Sequence, residues 1–146
     1  MYNFLVHAHS GTRWIVLVLL ILSIVKAFKG WFGNKEFTSS DKKSSLLALI
    51  FTHVQLILGL GLYFISPLVS FEPGAIKDPI YRFYTVEHFS MMIIAIILIT
   101  LGYSLSKRAK EDLTKFKRLA VFYLFGLLII LYAIPWPFRI DGAGWF

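Results

Sequence analysis

The sequence predicts an all-α integral membrane protein, an antiparallel four-helix transmembrane bundle, and three observations carry that prediction. The 146 residues are 58% hydrophobic and 17% aromatic, with a mean hydropathy of +0.71, well above an ordinary water-soluble domain. The apolar residues fall into four runs, each long enough to cross a hydrocarbon core about 30 Å thick at roughly 1.5 Å of rise per residue. The basic residues gather in two of the connections between those runs. Residues 1–146 therefore read as a single four-helix transmembrane domain.

Helix 1 is expected from about Phe4 to Phe28, with Ile15 to Val25 nearly unbroken. This first run lacks a basic leader region and a small-residue cleavage site and carries Arg13 inside it, so it reads as a retained span rather than a signal peptide. Gly30, Gly33 and Asn34 then mark a turn, and "SSDKKSS" supplies Ser and Asp caps for helix 2, expected from about Ser45 to Ile65. Pro67 stops that helix, and the connection from Ser66 to Tyr81 is rich in Pro, Gly and short polar residues. Helix 3 is expected from about Arg82 to Ser104 and helix 4 from about Leu119 to Ile134, where "PWPF" ends it at an aromatic interface anchor.

Charge sets the orientation. Lys26, Lys29, Lys35, Lys42 and Lys43 lie around the first connection, and Lys107, Arg108, Lys110, Lys115, Lys117 and Arg118 around the third. Only Arg13, Lys77, Arg82 and Arg139 remain for the other side. Basic connections stay in the cytoplasm, so the chain is expected to run N-out and C-out. The net charge of +7 is read as this bias, with the lipid bilayer and no nucleic acid as partner. The absence of cysteine excludes disulfides, thiolate zinc sites, iron–sulfur clusters and covalent haem attachment through C-x-x-C-H.

Ionisable groups inside a span are costly unless they face a partner or a cavity, which makes them the candidates for function. His7, His9, Arg13, His53, Glu87 and His88 meet that description. Counting rise from the basic ends places His9, Arg13 and His88 at similar depth and His53 roughly 10 Å deeper. On helix 1, His9 and Arg13 share a face with Thr12, Val16 and Ser23, whereas His7 points nearly the other way. On helix 2, Ala48, Thr52, Gln55, Gly59 and Tyr63 share a face, and the direction of His53, about 100° away, stays open. On helix 3, His88, Ala95 and Gly102 recur every seven residues, a small-residue stripe expected to seat a flat ligand. Gly59 and Gly61 read as helix packing. His9 or His7 could face His88 across the bundle as a pair of haem-iron ligands, with Arg13 or Arg82 pairing with a propionate and Glu87 holding a histidine ring nitrogen or Arg82.

The segments "HAHSGTRWIVL", "THVQLILGLGLYF", "RFYTVEHFSMMIIAIILITLGYS" and "IPWPFR" together resemble a family of small bacterial four-span integral membrane proteins labelled cytochrome b-like. The resemblance covers almost the whole chain. It implies a b-type haem, electron transfer with a respiratory partner, and a multi-pass place in the bacterial inner (cytoplasmic) membrane. Carried onto this sequence, it makes His9, His53 and His88 the candidate iron ligands and Arg13 the propionate partner. Two matched histidine pairs, as a di-haem bundle needs, are not apparent, so one haem is expected. Electron-transfer or accessory work is expected rather than stand-alone catalysis. Two alternatives stay open: a haem-free structural or accessory subunit of a larger membrane complex or homo-oligomer, whose polar residues bind helices together, and a quinone-binding protein using Glu87 and His88.

Overall fold

The computed structural model describes residues 1–140 and 143–145. Four helices, each long and apolar enough to cross a membrane, pack antiparallel: α1 (Tyr2–Phe32), α2 (Ser39–Ile65), α3 (Pro79–Arg108) and α4 (Asp112–Ala133). Their side chains sort by neighbour rather than by polarity. Leu20, Ala48, Ile99, Phe116 and Tyr123 are buried between helices, while Ile21, Ile57, Ile97 and Leu128 stand exposed on the outside, where hydrocarbon is the favourable surrounding.

Every helix starts before its expected position, and in α2 and α3 a capping side chain sets that start. α2 begins at Ser39, six residues before the start expected at Ser45, because Thr38 and Asp41 form a capping box: each side chain accepts from the other's backbone N–H. Lys42 and Lys43 thereby become the fourth and fifth residues of the helix. α3 begins at Pro79, the residue best suited to a first helical position, under the Asp78 carboxylate, which accepts from the N–H groups of Ile80 and Tyr81. α4 begins at Asp112 rather than near Leu119. Asn34 takes a left-handed φ of 47° in the α1–α2 turn, a conformation Asn tolerates better than most side chains.

Around the bundle the order is α1, α2, α3, α4, with α4 packed closely on both α3 and α1, and the α2–α3 seam the thinnest. α1 and α3 are therefore diagonal partners. The tight α3–α4 seam is made by glycines: a Cβ on Gly102 would lie 2.6 Å from Phe122 Cβ, and one on Gly126 would lie 2.6 Å from Ile99 Cγ1. The stripe of His88, Ala95 and Gly102 was expected to seat a flat ligand. Below the histidine it instead brings two backbones together, which is what small residues at helical spacing do between membrane helices.

The two lysine-rich connections lie together at one end, where the Phe37 N–H donates to Asp112 Oδ2 at 3.0 Å and the Phe37 ring meets Phe116. At this basic end the bundle is closed across its other diagonal by Tyr123 on α4, whose hydroxyl donates to the Ser45 carbonyl on α2 at 2.8 Å. Tyr123→Phe keeps the packing and removes only that bond. It is expected to cost about 0.5–2 kcal/mol of unfolding free energy in detergent, and an unchanged midpoint would mean the bond adds nothing to the closure.

Candidate functional site

The other end of the bundle, which carries both chain termini, is not closed. A cavity of about 290 Å³ opens there, lined by all four helices and by Ala143 and Gly144 of the C-terminal segment. His9, Arg13, Gln55, Gly59, Tyr63 and His88 are all on its wall. The sequence-derived faces of α1 and α2 are thus the cavity faces in their upper halves, with Val16, Ser23, Ala48 and Thr52 buried on the same faces.

His9 and His88, on diagonal helices, have ring centroids 6.3 Å apart with planes at 74°. His88 is positioned from three directions. A π-helical turn over Phe83–Glu87 precedes it, so that the His88 N–H donates to Phe83 O, five residues back. Such a turn inserts an extra residue into the helical phase, a distortion found mostly at functional sites. Tyr63 holds the turn from α2 by donating to Thr85 O at 3.0 Å, and the Ser70 N–H donates to Thr85 Oγ1 at 3.1 Å. The ring itself donates through Nδ1 to the Ala133 carbonyl at 2.7 Å.

That carbonyl is open for a reason written in the sequence. Within a continuing helix, Ala133 O would accept from residue 137 and Leu131 O from residue 135, and both of these are prolines, which have no N–H. Three side chains take over the end of α4: Trp136 Nε1 donates to Leu131 O, Arg139 to Tyr132 O, and His88 to Ala133 O. A carbonyl can only accept, so Nδ1 of His88 carries a proton, and in the neutral ring Nε2 then keeps its lone pair. An imidazole that gives Nδ1–H to a backbone carbonyl is in the state a metal ligand requires.

His9 stands against the bare Cα of Gly59: a Cβ there would lie 3.1 Å from His9 Cε1. Gln55 Nε2 donates to the His9 carbonyl at 2.8 Å. Three buried polar atoms on the cavity wall, His9 Nδ1, Arg13 Nε and Gln55 Oε1, have no hydrogen-bond partner among the described residues. Buried polar atoms are nearly always paired, so three unpaired ones on cavity-wall residues set this end of the bundle apart.

Arg13 is buried at 7% exposure. Its guanidinium donates to Trp145 O at 2.7 Å and lies 5.4 Å and 5.8 Å from the centroids of the Trp14 and Trp136 rings. Among the described residues no carboxylate lies within 4.0 Å of it. A cation in apolar surroundings, with aromatic neighbours and no acid among the described residues, is suited to an incoming anion.

The other candidates lie elsewhere. His7 is exposed on the outer side of α1. Arg82 and Glu87 pair with each other at 2.8 Å near the surface and are not on the cavity wall, so neither holds a ring nitrogen of His88 nor faces a ligand there. The histidine's partner is the Ala133 carbonyl instead. His53 gives Nδ1–H to Leu49 O at 2.8 Å, within its own helix, and its Nε2 lies 3.5 Å from Thr100 Oγ1 across the α2–α3 seam. It is off the cavity wall. The residues that sequence reasoning passed over are Pro135 and Pro137, read only as a helix stop, and Gly59, read as helix packing. Gly59→Ala is expected to push the His9 ring and alter any ligand spectrum of the site, whereas Gly61→Ala, whose Cβ would make an ordinary 3.5 Å contact with Leu5, should leave it unchanged. Equal spectra for the two variants would dissociate Gly59 from His9.

Two facing imidazoles can share one metal ion. Metal–nitrogen bonds of about 2.0–2.1 Å on either side, with roughly 1.1 Å from nitrogen to ring centre, put the two centroids about 6.3 Å apart; the two rings here have that separation and meet edge-on at 74°, which is also the geometry of an edge-to-face ring contact. Among the described residues no three His, Cys, Asp or Glu side chains converge. An ion held here would therefore take only two protein ligands, as porphyrin iron does and a closed structural zinc site does not. The donor set fits haem. No family model, curated protein or solved structure matches the chain, so the geometry alone bears on function.

Proposed function

We propose that this chain is a b-type haem-binding membrane protein that passes electrons to or from a respiratory partner. The observation that carries the reading is the His9 and His88 pair: two imidazoles on diagonal helices, at bis-ligand separation, on the wall of a cavity. The basic end faces the cytoplasm by the positive-inside rule, which puts the pair in the outer half of the membrane.

In this reading His9 and His88 would hold the iron, with the Ala133 carbonyl fixing the tautomer of His88. Arg13 binds a propionate, which supplies the carboxylate its guanidinium lacks among the described residues. Apolar walls from α2, α3 and α4 exclude water and lower the dielectric around the site. When bound, haem supplies one-electron redox chemistry, and the protein contributes ligands, orientation and surroundings.

The test is an absorption spectrum and a pyridine haemochrome assay on protein purified after expression with ample haem. A Soret band with about one haem per chain is expected. No band and no extractable haem would overturn the reading in favour of a haem-free accessory subunit. The quinone alternative loses its proposed acid, because Glu87 is engaged by Arg82 away from the cavity.

A further inference from the structure

A second cavity, of about 200 Å³, lies at the basic end, lined by Phe37, Lys42, Ser45, Tyr103, Ser106, Lys107 and Lys115. It is built by the early start of α2, which carries Lys42 to its rim, and by the last turn of α3, which brings Ser106 and Lys107. Its polar groups are not spent on one another. Lys115 pairs with Asp112 at 2.7 Å and lies 5.5 Å from the centroid of the Phe37 ring. Ser45 donates to the Lys42 carbonyl. The ammonium groups of Lys42 and Lys107 and the hydroxyls of Tyr103 and Ser106 have no hydrogen bond or ion pair among the described residues. Ser106 is itself buried, at 3% exposure.

Two ammonium groups and two hydroxyls without a partner among the described residues gather around one recess. Asp112 offsets the charge of Lys115, so Lys42 and Lys107 supply the net positive charge. Phe37 gives the recess an apolar side. A phosphate group, with several acceptor oxygens and a negative charge, matches this set, and basic recesses between membrane helices on the cytoplasmic side are where anionic headgroups dock. We infer that this recess is a phosphate-binding site, filled by the headgroup of an anionic phospholipid or by a soluble phosphate ester. It is independent of the histidine cavity at the other end of the bundle.

The experiment uses the full chain in phosphatidylcholine nanodiscs and measures its thermal unfolding midpoint on addition of phosphatidylglycerol to the discs or of inorganic phosphate to the buffer. The comparison is Lys42→Gln/Lys107→Gln against Lys29→Gln/Lys110→Gln, a charge-matched change outside the recess. All four lysines are exposed, so neither variant removes packing. The site predicts a rise in the midpoint for the wild type and the control, with apparent affinity about fivefold weaker for each recess lysine removed. A response to phosphatidylglycerol alone identifies a lipid site, and a response to phosphate identifies one open to soluble esters. No response to either, or equal responses from the two variants, overturns the inference.

Discussion

If the chain binds haem as proposed, replacing His88 with alanine is expected to remove at least about nine-tenths of it, since losing even a group that orients a ligand costs some 10–100-fold in metal affinity. The variant removes a ligand and also strands the Ala133 carbonyl, which Pro137 cannot serve. A buried acceptor left open costs about 1–3 kcal/mol. A loss of haem could therefore follow from a disordered rim. His9→Ala separates the two effects, because among the described residues His9 Nδ1 has no partner to strand. Both variants should lose haem while gel filtration and far-UV dichroism stay as in the wild type. His53→Ala should keep haem, because its ring bonds within α2 and stands off the cavity wall. A full Soret band in His88→Ala, or its loss in His53→Ala with His88→Ala intact, would remove the assigned pair.

Gly102→Ala and Gly126→Ala should be among the most damaging single-methyl changes in the bundle. Each new Cβ would lie 2.6 Å from a heavy atom on the facing helix, Phe122 Cβ in one case and Ile99 Cγ1 in the other. Phe122 Cβ sits next to its own backbone and cannot turn aside, so α3 and α4 would have to separate. Overpacking of this kind costs about 1–3 kcal/mol per site. The two sites share one seam, so the double variant should fall short of the sum, because helices already parted by the first methyl accept the second more easily. Unfolding by sodium dodecyl sulfate titration in mixed micelles measures this, and a wild-type midpoint for Gly102→Ala would show that the seam is looser than drawn.

The four spans were legible because hydrocarbon imposes a length and a polarity that the sequence must satisfy. Helix ends were not, because Thr38, Asp41, Asp78 and Pro79 act through backbone hydrogen bonds within a few residues, indifferent to hydropathy. Depth counting placed His9, Arg13 and His88 on one level, and the helical period turned His9 inward and His7 outward. The period could not show that a π-helical turn resets the phase of α3 just before His88. Nor could a stripe of small residues say whether a ligand or another backbone lies against it: Gly102 meets Phe122. The open carbonyl of Ala133 was readable in principle, since a proline four residues after a helical position removes that position's donor. Which side chain would fill it required the fold.

The end of α4 has a mechanical consequence. Trp136, Arg139 and His88 each hold one of three consecutive carbonyls, Leu131, Tyr132 and Ala133. Trp136 and Arg139 follow α4 in its own chain segment, whereas His88 comes from α3. Of the three holders, only the histidine ties the end of α4 to a neighbouring helix, so a shift of α4 at this end changes the length of the bond to His88 first.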